Sequence, residues 1–377
     1  MSTTAVGNRV VSRGKIRVDA RRAVAKLREH MLLDLHSYAL EIVRSAVGSG
    51  APRIDITYDA DDVVITWPGV PGEPDMLARL LDLVLSDALT GDARRWRLLA
   101  LGVNAALGLQ PAFVDVIAAG TSIPGGCVRV RFAPEMLDQD EDDAHGTTPQ
   151  QVTRPSDMPA SGMRVHVRRK LSWSTIKGAV MRNVPREVQV LVAAAAHLDT
   201  PVSLQGQPLA NAAASALLRV PFEVSHARRA WLAITPPSAA GARLTFLEQG
   251  VRLASYEWSP EPDAPGQPYA GVGLPVEVVV DAVELPTNAS RAAIREDAPI
   301  VARALVGAAS AFEAAIGALI ARVCGQGAAP DGVEFLVDDP VALEDALGAF
   351  VCIAAGARHR DEPLGEMAKR LLALPLL

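Results

Sequence analysis

The sequence predicts an α+β fold with two domains, and three observations lead to that prediction. The chain has 377 residues, and at about 100–200 residues per domain two domains are expected. Hydrophobic residues make up 49% and charged residues 21%, which is ordinary for a globular chain and excludes a disordered one. In the first half the helices cluster early and the strands pair as hairpins, which favours a mixed or antiparallel sheet with helices on one face.

Charge and cysteine content narrow the classes of function. The net charge is −6 and the isoelectric point is near 5.7, so a nucleic-acid partner is not expected. The three cysteines, Cys127, Cys324 and Cys352, are odd in number and widely spaced, which fits a reducing cytoplasm. No signal peptide is evident, and no stretch of about 18 uncharged apolar residues that could span a membrane. We therefore expect a cytoplasmic protein.

Hydrophobic periodicity places the elements of a first domain at 10–185. Helices are predicted at 20–31, 35–48, 75–89 and 95–107, with a hairpin at 54–67 and strands at 113–118, 128–132 and 163–170. In the second helix the apolar residues recur at helical spacing, and Glu41 and Ser45 line the opposite, polar face. The segment 135–160 contains six acidic residues within 135–143 and is either a functional lid or a disordered loop.

A second domain is predicted at 186–325, followed by a helical tail at 326–377. A helix is expected at 186–200, a Gly-turn hairpin at 201–209, and short strands at 219–224, 230–235, 243–247 and 275–281. A long Ala-rich helix fills 297–323. This second unit is also α+β.

The helix at 35–48 resembles the first nucleotide-site motif of the GHKL ATPase superfamily, which includes gyrase, the ninety-kilodalton heat-shock chaperone, histidine kinases and MutL. That family carries a pattern like ELVxNAxDAGA, and here the residues read EIVRSAVGSGA from Glu41. Glu41 matches the family's general base. Ser45 stands where the family has the asparagine that holds Mg²⁺, and Gly48 stands where it often has aspartate.

Two later segments are similar to further GHKL motifs. The family's DxGxG pattern, whose aspartate accepts the adenine amino group, corresponds to Trp67-Pro68-Gly69. The glycine-rich phosphate loop that opens a helix corresponds to LALGVNAA, with Gly102 kept and Asn104 in place of the second glycine. The resemblance thus implies a cofactor site of Ser45, Trp67, Gly69, Gly102 and Asn104.

The second unit is similar to the middle domain of heat-shock chaperones. The segment VELPTNASRAAIRED at 283–297 resembles the DLPLNxSRE pattern, whose arginine, here Arg291, reaches the γ-phosphate in that family. An arginine suits this task because its planar fork binds phosphate bidentately. PVSLQGQPL at 201–209 is similar to a hairpin of bacterial chaperone-like relatives.

The resemblance covers roughly residues 15–320 and implies a two-layer Bergerat-type sandwich followed by a transducer-type domain. It implies a chaperone-like switch with ATP and Mg²⁺ as cofactors, Glu41 and Arg291 as catalytic residues, and a protein client. It also raises a homodimer as an expectation. The competing interpretation is a non-enzymatic scaffold that binds no nucleotide. A phosphotransfer kinase is disfavoured because no phosphoacceptor-histidine helix precedes the first motif.

Each motif also has a plain structural interpretation. Glu41 and Ser45 can be the wet face of a helix, Gly102 an ordinary helix start, and LPTNASR a helix cap. Loss of the adenine aspartate removes a charged hydrogen bond worth about 1.5–3 kcal/mol. We therefore expect weak ATP binding or none, with Trp67 either stacking on a base or filling the pocket. We also expect Arg291 to project toward Glu41.

Overall fold

The computed structural model describes most of the chain. The described residues are 20–30, 32, 34–86, 91–123, 125–137, 148–170, 184–209, 215–238, 241–259, 273–288, 291, 293–295, 297–325, 330–359 and 366–374. They form two mixed sheets with associated helices, so the predicted α+β class is confirmed. The acidic run at 138–143 lies outside the described residues.

Within the described residues, the first domain has five helices and eight strands. They are α1 Ala20–His30, α2 Tyr38–Gly48, β1 Ile54–Tyr58, β2 Asp62–Pro68, α3 Pro74–Ala78, α4 Gly91–Gly108, β3 Phe113–Ala119, β4 Cys127–Phe132, β5 Gln150–Gln151, β6 Gly162–Arg168, α5 Arg186–Ala194, β7 Val202–Leu204 and β8 Gln207–Pro208. Short 3₁₀ turns occupy Leu35–Ser37, Leu80–Leu85 and Pro134–Leu137. The expected helix at 75–89 is therefore wrong for its described part, which is one helical turn followed by a 3₁₀ turn.

The eight strands form one sheet in the order β5-β4-β3-β6-β2-β1-β7-β8. Neighbours are antiparallel except β1 and β7, which are parallel. The apolar faces of α2 and α4 pack together and, with inward-facing strand residues such as Ile65 and Val165, build the first core. The predicted alternation at 163–170 is borne out, because Val165 and Val167 are buried and Arg164 and His166 are only partly so.

The boundary between the domains lies later than the sequence suggests. Helix α5 and the β7–β8 hairpin belong to the first domain, because β7 pairs with β1 and Leu191 lies in the first core. The division therefore falls after Leu209 rather than at 186. Glu187 on α5 fixes this segment further, since its carboxylate accepts hydrogen bonds from Arg169 (2.6 Å) and from the Tyr38 hydroxyl (3.4 Å).

The described part of the second domain forms a six-stranded sheet and three helices. They are β9 Leu218–Phe222, β10 Ala227–Ile234, β11 Arg243–Glu248, β12 Val251–Glu257, β13 Val276–Ala282, α6 Pro299–Cys324, β14 Glu334–Phe335, α7 Pro340–His359 and α8 Glu366–Leu372. The order is β12-β11-β13-β10-β9-β14, with β11 and β13 parallel and the other pairs antiparallel. Strand β12 was not predicted from the sequence.

The C-terminal helices are part of the second domain rather than a separate tail. Leu347, Phe350 and Ile353 of α7 lie in the same core as Phe312 and Ile316 of α6. Both α6 and α7 are long and apolar enough to cross a membrane by length and composition alone, but half of each apolar window is buried within the fold. They are insufficient to mark a membrane protein.

The hairpin β11–β12 brings the second domain against the first. Its turn, Gln249–Gly250, has positive φ at both positions (56° and 77°), as a two-residue hairpin of matching twist requires. Val251, directly after the turn, is buried in the first domain's core. A side chain at Gly250 would meet Leu198 at 3.0 Å, so the turn packs closely on the first domain.

Candidate functional site

Helix α2 presents its polar face to the interior of the molecule. Glu41, Arg44 and Ser45 are all buried, with relative exposures of 1%, 3% and 4%. The interpretation of this face as a solvated one is therefore wrong: it lies against α4 and the second domain. Buried charges need partners, because isolating them from water is costly. Within the helix, Arg44 donates to Glu41 Oε1 at 2.5 Å, three residues apart.

The second domain supplies one carboxylate and one guanidinium group to the surroundings of Glu41. Glu248 ends β11 immediately before the hairpin turn and is fully buried. Arg291 donates through Nη2 to Glu248 Oε2, and its Nε lies 3.4 Å from Glu41 Oε1. Its backbone φ of 51° is uncommon for arginine, and its N–H donates to the Asn288 carbonyl at 3.0 Å. The expected projection of Arg291 toward Glu41 is thus present.

Helix α4 contributes a third guanidinium. Arg94, in the first turn of that helix, donates through Nη2 to Glu248 Oε1. Arg44 also reaches across, with Nε 3.8 Å from Glu248 Oε2 and Nη2 donating to the Arg252 carbonyl at 3.2 Å. We call Glu41, Arg44, Arg94, Glu248 and Arg291 the arginine–glutamate network. It joins α2 and α4 of the first domain to β11 and the 291 loop of the second.

The network shifts the pKa values of Glu41 and Arg291. Burial alone would raise the pKa of Glu41, but the guanidinium groups of Arg291 and Arg44 outweigh it and the pKa is lowered. Burial acts on Arg291 in the opposite sense, and the carboxylates of Glu41 and Glu248 outweigh it, so the pKa of Arg291 is raised. Glu41 is therefore a bound carboxylate, and a carboxylate with a lowered pKa is a weak proton acceptor.

Among the described residues, one carboxylate oxygen of the network has no hydrogen-bond partner. Glu41 Oε2 is buried and accepts no hydrogen bond, whereas Oε1 accepts from Arg44 and lies close to Arg291. A buried carboxylate oxygen left unpaired is uncommon and costly. It is the one position of Glu41 that an added donor could use.

Beside the network lies a small cleft, which we call the Trp67 cleft. Its lining residues come from α2, the end of β2, the following turn, α4 and β6: Ser45, Ser49, Trp67, Val70, Gly72, Arg95, Trp96, Leu99 and Met163. Ser45 Oγ donates to the Arg95 carbonyl at 2.8 Å. The buried indole N–H of Trp67 has no hydrogen-bond partner in the part of the chain that the structure describes. Gly69 follows Trp67 with φ of 133°, a conformation open to glycine alone.

The Trp67 cleft is largely filled by side chains. Its empty space, including solvent at its mouth, is about 230 Å³. Trp67, Trp96 and Met163 are 2–4% exposed. A side chain at Gly72 would meet Met163 Sδ and Trp96 Cη2 at 2.7 Å. Of the two roles expected for Trp67, filling the space is the one this packing favours.

The expected phosphate loop is not a loop. Gly102 and Asn104 lie in the C-terminal half of α4, which runs unbroken over Gly91–Gly108, so their backbone N–H groups are used within the helix. A side chain at Gly102 would lie 2.8 Å from Ile42 Cγ1 and 3.0 Å from the Tyr38 carbonyl oxygen. Gly102 therefore permits close contact between α4 and α2, and both interpretations of it as a helix start are wrong.

The side chain of Asn104 is also used within the fold, because it has hydrogen-bond partners in α1. It is fully buried; its Oδ1 accepts from Arg28 Nε at 3.2 Å and its Nδ2 donates to the Val24 carbonyl at 3.3 Å. These bonds tie α1 to α4. Asn104 is absent from the lining of the Trp67 cleft, so the cofactor-binding residues expected from the sequence do not converge on one surface.

A metal site is not evident at the cleft. Within the described residues, the carboxylates that come together in a group of three are Asp59, Asp61 and Asp62, at the β1–β2 turn. That turn is at the opposite end of β2 from Trp67. Asp62 already accepts from Arg168 (2.6 Å) and contacts His166 (2.6 Å). Ser45, the expected metal ligand, has no carboxylate beside it in the lining of the Trp67 cleft.

Three members of the network were missed by sequence reasoning: Arg44, Arg94 and Glu248. Arg44 carried a local signal, since a Glu and an Arg three residues apart on a helix can pair. Arg94 begins the basic run RRWR, and Glu248 follows the apolar run LTFL. No known protein family matches the chain, and no curated protein matches it in sequence.

Proposed function

We propose that the protein is a chaperone-like scaffold of GHKL-type architecture whose two domains are held together without nucleotide, in the cytoplasm. The observation that carries the proposal is the engagement of Glu41. Its carboxylate is bonded by Arg44 at 2.5 Å and faced by Arg291 at 3.4 Å. In the family that the sequence resembles, the position of Glu41 holds the general base and the position of Arg291 holds the γ-phosphate sensor. Here the charges of these two side chains neutralise each other.

The packing of the first domain supports the same proposal. A two-layer arrangement with α2 and α4 on one face of a mixed sheet is what a GHKL-type sandwich requires. Trp67 fills the position where the family accepts adenine, and Gly102 is used for helix packing. A scaffold of this kind would act through its surfaces on a protein partner rather than through hydrolysis.

An ATP-dependent switch is the second candidate, and Glu41 Oε2 favours it. This buried oxygen has no hydrogen-bond partner among the described residues, so it could accept from a water that attacks a phosphate. In that case ATP would draw Arg291 from Glu41, and the angle between the domains would depend on nucleotide. Ser45 and a Mg²⁺ ion would complete such a site.

A calorimetric titration of Mg²⁺-ATP into the full chain separates the two candidates. The scaffold predicts no saturable heat at micromolar ATP and the same small-angle scattering curve with and without nucleotide. The Arg291→Met variant is the matched control, because it removes Arg291 from Glu41, which keeps Arg44, and leaves the Trp67 cleft unchanged. Micromolar, Mg²⁺-dependent binding to the unaltered protein would overturn the scaffold in favour of the switch.

A further inference from the structure

Arg94 holds two carboxylates of the second domain at once. Its Nη2 donates to Glu248, and its Nη1 lies 3.0 Å from Glu284 Oε2. The two carboxylates differ sharply in surroundings, since the side chain of Glu248 is 0% exposed and that of Glu284 is 42% exposed. Glu284 is thus the point at which the arginine–glutamate network meets solvent.

The Arg94 guanidinium requires an anion at this point. Its side chain is only 8% exposed, and a guanidinium removed from water needs a charged acceptor. Its planar fork binds carboxylate and oxyanions in the same bidentate manner. Val283 and Glu284 are exposed, but they lie between Ala282 and Leu285, which are buried in the second core, so the Glu284 side chain alone can be displaced without disturbing that core.

We propose that the Glu284 carboxylate occupies an oxyanion-binding site on Arg94, and that a phosphate-class anion exchanges with it. Binding of the anion would release the Glu284 side chain from Arg94 while Glu248 keeps Arg94 in place. The site would then adjust one of the contacts between the domains. The proposal uses the network on which the proposed scaffold function rests, but it requires no nucleotide pocket.

Chemical rescue of Glu284→Ala tests this site. The thermal midpoint of the variant is expected to fall by about 2–4 °C in chloride buffer, and inorganic phosphate at constant ionic strength should restore it in a saturable manner. Constant ionic strength removes general screening as a cause. Titration calorimetry of phosphate into the variant gives an independent measure of binding, and Glu284→Gln serves if the alanine variant does not fold.

Two controls locate the effect. Glu334→Ala removes a half-exposed carboxylate from an ordinary pair with Arg219 and should show no phosphate rescue. Glu284→Ala combined with Arg94→Lys keeps the charge but loses the fork, and rescue should disappear. Equal stabilisation of the unaltered protein and all variants by phosphate, or no phosphate binding to Glu284→Ala, overturns the proposal.

The source of the phosphate group is resolved by further arms of the same experiment. Sulfate, tripolyphosphate and ATP are compared with inorganic phosphate on Glu284→Ala. Rescue by all four at similar effect indicates a site for the oxyanion itself. Rescue by ATP alone would mean that the base is recognised, which would overturn both this site and the proposed nucleotide-independent function. Phosphate rescue with no ATP binding to the unaltered protein supports both.

Discussion

Replacing Glu248 by glutamine is the sharpest test of the arginine–glutamate network. Glutamine keeps the shape of the side chain and removes its charge. Glu248 is fully buried and bonds to Arg94 and Arg291, with Arg44 3.8 Å away. After the substitution, Arg44 and Arg291 share the carboxylate of Glu41, and Arg94 keeps only the half-exposed Glu284.

The structure predicts a large loss of stability and a definite rank order. Removing one partner of a buried ion pair costs about 3–5 kcal/mol, and Glu248→Gln should lie at the upper end because it deprives more than one arginine. Arg291→Met leaves two arginines with two glutamates in the network, so their charges still balance. Its cost should be nearer that of a charged hydrogen bond, about 1.5–3 kcal/mol.

Urea unfolding at neutral pH, followed by circular dichroism, measures both free energies of unfolding. Glu334→Gln is the matched control, since Glu334 is half exposed and pairs with Arg219 at the surface; its cost should stay below about 1 kcal/mol. The reasoning is refuted if Glu248→Gln costs no more than this control, or if Arg291→Met costs more than Glu248→Gln.

Two further predictions concern helix packing and pH. Gly102→Ala should destabilise the protein by about 1–3 kcal/mol, because the added methyl group overpacks against α2. Gly348→Ala in α7 is the control: the added methyl group meets nothing within 4 Å, so the variant should be more stable by about 0.5–1 kcal/mol. The urea midpoints of both variants test this pair of predictions. Burial alone would raise the pKa of Glu187, but His36 and Arg169 outweigh it and lower the pKa from 4.5 to about 2. The ionised Glu187 therefore contributes roughly 3 kcal/mol to the free energy of unfolding above pH 4.5, and this contribution is lost as pH falls toward 2. Glu187→Gln should be less stable than the unaltered protein at pH 6, and the stabilities of the two proteins should converge near pH 2.

The local pattern of the sequence predicted most elements but not where the first domain ends. The hairpin at 201–209 was expected, and it is present as β7 and β8. Its pairing with β1 joins residues far apart in the chain, and no periodicity within either segment reports such a contact. For the same reason the helices at the C-terminus were expected to form a tail, although α7 packs on α6 in the second core.

The sequence predicted the place of a site residue only where a motif also indicated which part of the molecule its side chain faces. The segment around Arg291 indicated that this side chain reaches the first domain, and it does. A glycine, in contrast, is favoured both where a phosphate approaches a backbone and where two helices touch. Gly102 permits contact between two helices, and the residues next to it in the sequence do not distinguish helix packing from phosphate binding. Burial of Glu248 was equally hidden, because a polar residue at the end of a strand is usually solvated.

The departures from the family pattern are physically consistent with one another under the proposed function. A base that activates water must be able to take up a proton, yet two guanidinium groups lower the pKa of Glu41. A switch must also have a second arrangement within a few kcal/mol of the first. Separating the domains would leave the buried charges of Glu248 and Arg44 without their partners. Leaving a buried charge unpaired costs several kcal/mol for each ion. With Trp67 occupying the space beside Ser45, little binding free energy from a nucleotide is left to offset that cost. The network therefore favours one fixed arrangement of the two domains.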